Sequence, residues 1–181
     1  MKKKIAIFAG RDCREEKREY YFNRAYDLGA RLAKANFTVI TGAGPGLMHE
    51  ALRGAQENDG DTIGIALDKD GKNHSSNAKK LYKFFLLGPR QNKLISLSDA
   101  YVALPGGIGT LYEIGQVLAL KGVGELAEDK PMIIIDDYYS GLRKLYDYMM
   151  SEGFISKRLY DMVSFVKAPQ DCVDILTRYF R

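Results

Sequence analysis

Short apolar segments alternate with longer segments of helical period along nearly the whole of this 181-residue chain. Most of the short segments are continuous apolar runs, which is typical of strands buried on both faces of a parallel sheet. Strands are predicted at Ile5–Phe8, Phe37–Ile40, Thr62–Leu67, Lys83–Leu87, Tyr101–Leu104, Met132–Ile135 and Val163–Val166. The alternation predicts a Rossmann-like α/β fold, doubly wound around a mostly parallel sheet.

The segments between these strands have helical patterns. The first has an apolar residue at every third or fourth position, which makes one helix face apolar; these residues are Tyr21, Ala25, Leu28 and Leu32. Further helices are predicted near Gly46–Asn58, Arg90–Ser98, Gly109–Lys121, Ser140–Ser151 and Gln170–Arg181. The polar, turn-rich segment from Asp68 to Asn77 predicts a surface loop after the third strand.

The composition narrows the class of protein. With 46% hydrophobic and 28% charged residues, the chain fits a single domain over residues 1–181 and is not a disordered sequence. Cys13 and Cys172 are too few for a disulfide framework or a four-cysteine zinc site, which indicates a reducing compartment. The net charge of +4 is small for a protein that follows a nucleic-acid backbone. Because no apolar run is long enough for a signal peptide or a membrane span, we expect a cytoplasmic protein without nucleic-acid or membrane partners.

A first glycine-rich loop follows the second predicted strand, where ligands of doubly wound sheets bind. It reads Thr-Gly-Ala-Gly-Pro-Gly-Leu-Met, with its glycines at Gly42, Gly44 and Gly46. These glycines predict a close approach of the backbone to an anion at a helix N-terminus. Dinucleotide binding is an alternative, because Asp68 stands 22 residues beyond Gly46, where a ribose-binding acid would lie, but Pro45 removes a donor. A tight turn without a ligand is a third interpretation.

A second glycine-rich loop follows the strand Tyr101–Leu104 and reads Pro-Gly-Gly-Ile-Gly-Thr-Leu-Tyr-Glu, ending at Glu113. Its glycines and threonine predict a nest of backbone donors and a hydroxyl suited to a monophosphate; they are Gly106, Gly107, Gly109 and Thr110. No lysine follows the glycines, so the loop favours binding a phosphate over transferring one. Glu113 has a structural interpretation as well, in which it closes a capping box with Thr110 at the start of a helix.

The segment Pro-Gly-Gly-x-Gly-Thr-x-x-Glu resembles the signature of the Lonely Guy family. Members of that family are nucleoside 5′-monophosphate phosphoribohydrolases that release cytokinin bases, and many have the label "possible lysine decarboxylase". The resemblance extends to Gly42–Met48, to Thr62–Ile65 and to Arg90, nine residues before Asp99-Ala100. It implies a Rossmann-like homodimer that acts on a nucleoside 5′-monophosphate near the subunit interface, without a metal or an organic cofactor.

The resemblance also implies roles for Glu113 and Arg90 as the catalytic residues, while the glycines of both loops and Thr110 bind the nucleotide. Glu113 would orient or deprotonate water and stabilise a cationic ribose, because glycosidic cleavage passes through an oxocarbenium-like state. Arg90 would hold the nucleotide or help the departing base, since a guanidinium does not give up its proton readily. The base is adenine, an N6-substituted adenine or another base. Lysine decarboxylation is rejected, because no pyridoxal-binding pattern is present.

The chain departs from the family pattern in several places. Gln91 stands where the family usually has lysine, Pro89 replaces an acidic residue, His49 replaces a glycine, and Gly10-Arg11-Asp12 replaces a Gly-Ser turn. These differences bear on the identity of the substrate more than on the fold. They leave open a second function, that of a carrier of a phosphorylated ligand similar to the molybdenum-cofactor carrier proteins. The presence of both Glu113 and Arg90 favours an enzyme. His49 and His74 lack metal-ligand spacing, and structural or solvent roles are predicted for them.

Overall fold

The computed structural model describes residues 1–68 and 74–181. The strands are β1 (Lys4–Phe8), β2 (Thr38–Thr41), β3 (Thr62–Leu67), β4 (Lys80–Phe84), β5 (Ala100–Ala103), β6 (Met132–Ile135) and β7 (Val163–Val166). The helices are α1 (Glu15–Lys34), α2 (Leu47–Gln56), α3 (Leu87–Ser96), α4 (Ile108–Gly122), α5 (Ser140–Ser151), α6 (Lys157–Tyr160) and α7 (Pro169–Tyr179). A 3₁₀ turn, Asp137–Tyr139, precedes α5.

The seven strands form one parallel sheet in the order β4-β3-β2-β1-β5-β6-β7. The predicted doubly wound, Rossmann-like α/β fold is therefore confirmed. The sheet grows outward from β1 in both directions, because Ile5 pairs with Val39 of β2 on one side and with Ala100 of β5 on the other. The strand order thus reverses between β1 and β5.

Two helical layers cover the sheet, one on each face. The packing of β1 explains why its sequence is a continuous apolar run. Ile5 and Ile7 pack with α1, α2 and α7 on one face of the sheet. Ala6 and Phe8 pack with α3 and α4 on the other face. Successive side chains of a strand point to opposite faces, so a strand covered on both faces needs apolar residues at every position.

The predicted fourth strand, Lys83–Leu87, is wrong in its bounds. β4 spans Lys80–Phe84 at the edge of the sheet, and α3 begins at Leu87 rather than at Arg90. The apolar side chains of Phe85, Leu86 and Leu87 are exposed instead of lying in the sheet. The prediction followed hydrophobicity, whereas an edge strand with one open side needs little of it.

The surface loop predicted from Asp68 to Asn77 lies partly outside the described residues, at 69–73. At its far end, the Ser75 backbone N–H donates to the Ala43 carbonyl at 2.9 Å, which attaches this segment to the first glycine loop. Across residues 1–68 and 74–181, the helices are too short or too polar to cross a membrane.

Candidate active site

A cleft opens beyond the carboxyl ends of β1 and β5, at the point where the strand order reverses. Connections from two such strands leave toward opposite faces of the sheet, which creates a crevice between them. The cleft has a volume of about 530 Å³, and its lining includes Arg11, Arg90, Glu113 and the first residues of α4. Both glycine loops found in the sequence reach this region, because Gly42 contacts Arg90 and Gly107 lies in the cleft wall.

The second glycine loop leads from β5 into α4 and leaves the helix N-terminus open. Gly107 is the N-cap residue, and among the described residues no side chain caps the helix there. A Cβ atom added to Gly107 or Gly109 would meet no described atom within 4 Å outside its chain neighbours and its own helix. A Cβ on Gly106 would instead lie 2.1 Å from Thr110 Oγ1. Gly106 is therefore needed for packing, while the free N–H groups of the first turn can accept an anion.

The capping-box interpretation of Glu113 is wrong. α4 begins at Ile108, two residues before Thr110, so Glu113 lies in the second turn of the helix and not at its third position. Its carboxylate accepts hydrogen bonds from side chains of α3 rather than from the backbone at the start of α4. The position of the helix start thus frees the carboxylate from a capping role.

Glu113 forms a buried ion pair with Arg90, in which Nη1 and Oε1 are 3.1 Å apart. Arg90 is further held by its Nε, which donates to the Ile65 carbonyl at 2.9 Å. Gln91 links the two charged groups: its Oε1 accepts from Arg90 Nη1, and its Nε2 donates to Glu113 Oε1, both at 3.1 Å. Both donors thus share one carboxylate oxygen, and Glu113 Oε2 is hydrogen bonded to none of the described residues.

The surroundings of Glu113 shift its protonation equilibrium. Burial raises the pKa of this carboxyl above its ordinary value, although the charge of Arg90 and the hydrogen bond from Gln91 act in the opposite direction. A carboxyl group with a raised pKa exchanges protons closer to neutral pH than an exposed one. The site therefore combines a fixed cation with a carboxyl group suited to acid–base chemistry.

The first glycine loop makes room for Arg90 and for the chain after β1. A Cβ on Gly42 would lie 1.8 Å from Arg90 Nη2, so any side chain there would displace the guanidinium. Gly46 has φ +73°, and a Cβ there would lie 1.5 Å from the Arg11 carbonyl oxygen, so the position requires glycine. A Cβ on Gly44 would approach only the flexible end of Met48. A smaller hollow of about 180 Å³ adjoins this loop and shares Arg11, Met48 and Arg90 with the cleft.

Several residues singled out in the sequence have protein partners instead of a place in the cleft. Asp68, the alternative ribose-binding acid, pairs with His74 at 3.0 Å and with Lys83 at 3.6 Å. His49 is hydrogen bonded to Ser75 at 3.0 Å, which gives it a structural role. Within residues 1–68 and 74–181, no three His, Cys, Asp or Glu side chains are grouped as a metal site would require.

The cleft is also lined by Gln91, Arg11 and Met48, none of which is among the site residues predicted from the sequence. Gln91, a departure from the family pattern, is 1% exposed and lies directly beside the ion pair. The signal in the sequence is its neighbour Arg90, because adjacent residues near the start of a helix lie at the same end of that helix. Pro89, by contrast, is exposed at the start of α3.

The fold and the cleft define a class: Rossmann-like α/β proteins with an open helix N-terminus beside a buried arginine–glutamate pair. The chain belongs to the family described as "possible lysine decarboxylase", whose model matches residues 48–176, and this confirms the Lonely Guy resemblance. It is 30% identical over 156 residues to a probable cytokinin riboside 5′-monophosphate phosphoribohydrolase of Oryza sativa subsp. japonica, covering 84% of this chain and 68% of the relative. It is 28% identical over 183 residues to a cytokinin riboside 5′-monophosphate phosphoribohydrolase of Arabidopsis thaliana, covering 98% and 83%.

Solved structures share the whole architecture. The molybdenum cofactor binding protein from the phototrophic bacterium Rippkaea orientalis superposes with a TM-score of 0.79 at 23% identity, covering 100% of this chain and 99% of that one. The molybdenum cofactor carrier protein of Chlamydomonas reinhardtii gives 0.74 at 21% identity, covering 99% of both chains. At these identities the likeness shows the fold alone.

Proposed function

We propose that this protein hydrolyses the N-glycosidic bond of a purine nucleoside 5′-monophosphate, releasing the free base and ribose 5-phosphate. The buried Arg90–Glu113 pair, facing a cleft beside the open N-terminus of α4, is the observation that carries the proposal. The curated relatives, which are named as phosphoribohydrolases, support the same reaction. The proposed base is a purine, with adenine and N6-substituted adenine as the first candidates, and the reaction as proposed uses neither a metal nor an organic cofactor.

The 5′-phosphate is proposed to bind at the start of α4. Its oxygens would accept hydrogen bonds from N–H groups of Gly107, Gly109 and Thr110, and the positive end of the helix would favour their charge. The open space above Gly107 and Gly109 supports this placement. The glycines of the first loop, Gly42, Gly44 and Gly46, would then border the rest of the nucleotide.

Glu113 is proposed as the catalytic carboxylate. As the bond between C1′ and the base breaks, positive charge develops on the ribose, and a nearby carboxylate stabilises that charge. Water then adds its oxygen to C1′, and a proton ends on the departing base. The free Oε2 of Glu113 supports a role in orienting or deprotonating this water, since Oε1 is already occupied by Arg90 and Gln91.

Arg90 is proposed to position both the carboxylate and the nucleotide. Its Nε and Nη1 are bonded to Ile65 and Glu113, whereas its Nη2 lies against Gly42. A guanidinium stays protonated, so Arg90 would act as a fixed hydrogen-bond donor rather than as a general acid.

A second copy of the chain is proposed to cover the rim of the cleft. Leu87, Ile108 and Tyr112 line the cleft and are also exposed, with Ile108 at 81%. Phe85 and Leu86, which precede Leu87 in the chain, are also exposed and enlarge this apolar patch. Such a patch beside a polar site favours a protein interface. A homodimer should therefore elute from gel filtration, and an active monomer would contradict this part of the proposal.

A base-release assay tests the function. The purified protein is incubated with AMP, N6-substituted AMP and adenosine, and the free base is measured by chromatography. We expect base release from the monophosphates and release that is lower by orders of magnitude from adenosine, because several charge-assisted hydrogen bonds are lost with the phosphate. Tight nucleotide binding without base release would instead support the alternative function, a carrier of a phosphorylated ligand.

A further inference from the structure

Two successive carbonyls of the second glycine loop are fixed by hydrogen bonds from outside the loop. The Pro105 carbonyl accepts from the Gly10 backbone N–H at 2.9 Å, and the Gly106 carbonyl accepts from the Tyr138 hydroxyl at 2.8 Å. In a planar trans peptide, a carbonyl and the following N–H point in opposite directions. The bond from Tyr138 therefore determines the direction of the Gly107 N–H, which is turned away from Tyr138 at the wall of the cleft.

Tyr138 is itself held by Asp136, directly after β6. Asp136 Oδ1 accepts from the Tyr138 backbone N–H at 2.9 Å. Its Oδ2 accepts from the Tyr20 hydroxyl at 2.8 Å and pairs with Arg24 Nε at 3.0 Å, so the turn is anchored to α1. Asp136 has φ 90°, a backbone conformation that residues other than glycine seldom adopt and that persists only where the surroundings impose it.

We propose that Tyr138, held by Asp136, is a positioning residue for the binding of a phosphate monoester at the start of α4. Its hydroxyl fixes the Gly106–Gly107 peptide so that the Gly107 N–H points to a phosphoryl oxygen before the ligand arrives. The inference rests on the anion-binding part of the proposed function, and it does not require that the protein cleave the ligand.

Tyr139 supplies a matched control within the same turn. Its hydroxyl donates to the Leu104 carbonyl, also at 2.8 Å. The residue after Leu104 is Pro105, which has no N–H, so this bond orients no donor toward the cleft. Removal of either hydroxyl deletes one bond to the same loop, but only removal of the Tyr138 hydroxyl frees a donor of the anion site.

The test is calorimetric titration of ribose 5-phosphate into the wild-type protein, Tyr138→Phe and Tyr139→Phe. We expect Tyr138→Phe to weaken binding about fivefold, the range expected for one neutral hydrogen bond, and Tyr139→Phe to change it less than about twofold. Thermal melts should show the reverse order, because Tyr139 is buried and Tyr138 is half exposed.

Equal weakening in both variants, or unchanged binding in Tyr138→Phe, would overturn the inference. So would a wild-type protein that does not bind ribose 5-phosphate. A protein that binds ribose 5-phosphate as expected and releases no base from any nucleotide would count against the proposed hydrolysis only. Where base release is measured, Tyr138→Phe should raise KM for AMP and leave kcat nearly unchanged.

Discussion

Arg90 and Glu113 come from two different helices, 23 positions apart, and meet through a contact of 3.1 Å between Nη1 and Oε1 with both side chains about nine-tenths buried. A buried ion pair is weak evidence for stability, because the cost of removing two charges from water offsets much of their attraction. A pair of hydrophobic residues of similar volume would often stabilise a protein as much as a buried ion pair does. The pair is better explained by the cleft that it faces.

Replacing Glu113 by glutamine separates catalysis from stability. We expect base release to fall at least about 10²-fold, because an amide neither takes a proton nor offers negative charge to the ribose. The variant should stay folded with a free energy of unfolding lower by about 1–3 kcal/mol, since the amide oxygen still accepts from Arg90 and Gln91 while the buried Arg90 loses its counter-charge. A melt and a base-release assay on one preparation measure both. An unchanged rate in the folded variant would show that the carboxylate is not catalytic.

Removing the cation should make stability depend on pH. In Arg90→Met, Glu113 is left buried without its partner, which costs about 3 kcal/mol where the carboxyl is ionised. Burial already raises the pKa of Glu113, and loss of Arg90 raises it further. A raised pKa in the folded state stabilises the protein at low pH, and this contribution is lost as pH rises through that pKa. Denaturation at pH 5 and pH 8 should therefore show the smaller destabilisation at pH 5. Equal destabilisation at both values would contradict the assigned coupling.

Gln91 should set the pH at which the proposed base release begins. A lysine in its place adds positive charge beside Glu113 and lowers the pKa of that carboxyl, so the acidic limb of the pH–rate profile should move down by about one unit. Gln91→Met removes the hydrogen bond to Glu113 without adding charge, which raises the pKa of the Glu113 carboxyl. The acidic limb of the pH–rate profile of this variant should therefore move to higher pH. Shifts in the same direction for both variants would rule out control of Glu113 by this side chain.

A methyl group at Gly42 should disable the site without unfolding the protein. The new Cβ would occupy the space of Arg90 Nη2, and a displacement of about 1 Å in a positioning group can cost about 10²-fold in rate. The control is Gly141→Ala, in α5, where a Cβ meets nothing within 4 Å among the described residues. That variant should keep full activity. Comparable activity in Gly42→Ala and Gly141→Ala would mean that the position of Arg90 is unimportant.

The sequence predicts the fold well where both faces of an element are buried. Met132–Ile135 has the predicted bounds, because this interior strand is buried at every position and must be apolar throughout. Val163–Val166 also has the predicted bounds, although β7 is an edge strand whose residues are only half-buried. The predicted position of the edge strand β4 is shifted toward the C-terminus, because the most apolar residues nearby, Phe85–Leu87, lie outside the sheet. Local hydrophobicity does not distinguish a buried strand from an exposed apolar surface.

The site is predictable from sequence only in part. Glu113 and Arg90 stand in a recognisable pattern, and the structure brings their side chains together. The bridge from Gln91 depends on how α3 and α4 pack, and the bond from Tyr138 to Gly106 joins residues 32 positions apart. Such contacts are set by tertiary packing, which local propensity and spacing do not encode.

The pairing of β1 with β5 has a consequence for how this chain acquires its cleft. Ile5 pairs with Val39 of β2 early in the chain, but its partner on the other side, Ala100, follows 95 residues later. Contacts between residues so far apart in sequence form slowly, because the chain between them loses conformational entropy before the contacts can stabilise the fold. During synthesis, a nascent chain that ends before β5 contains Arg90 without Glu113. Ligand binding should therefore appear only after the second half of the sheet has docked on β1, and it would serve as a late marker in refolding experiments.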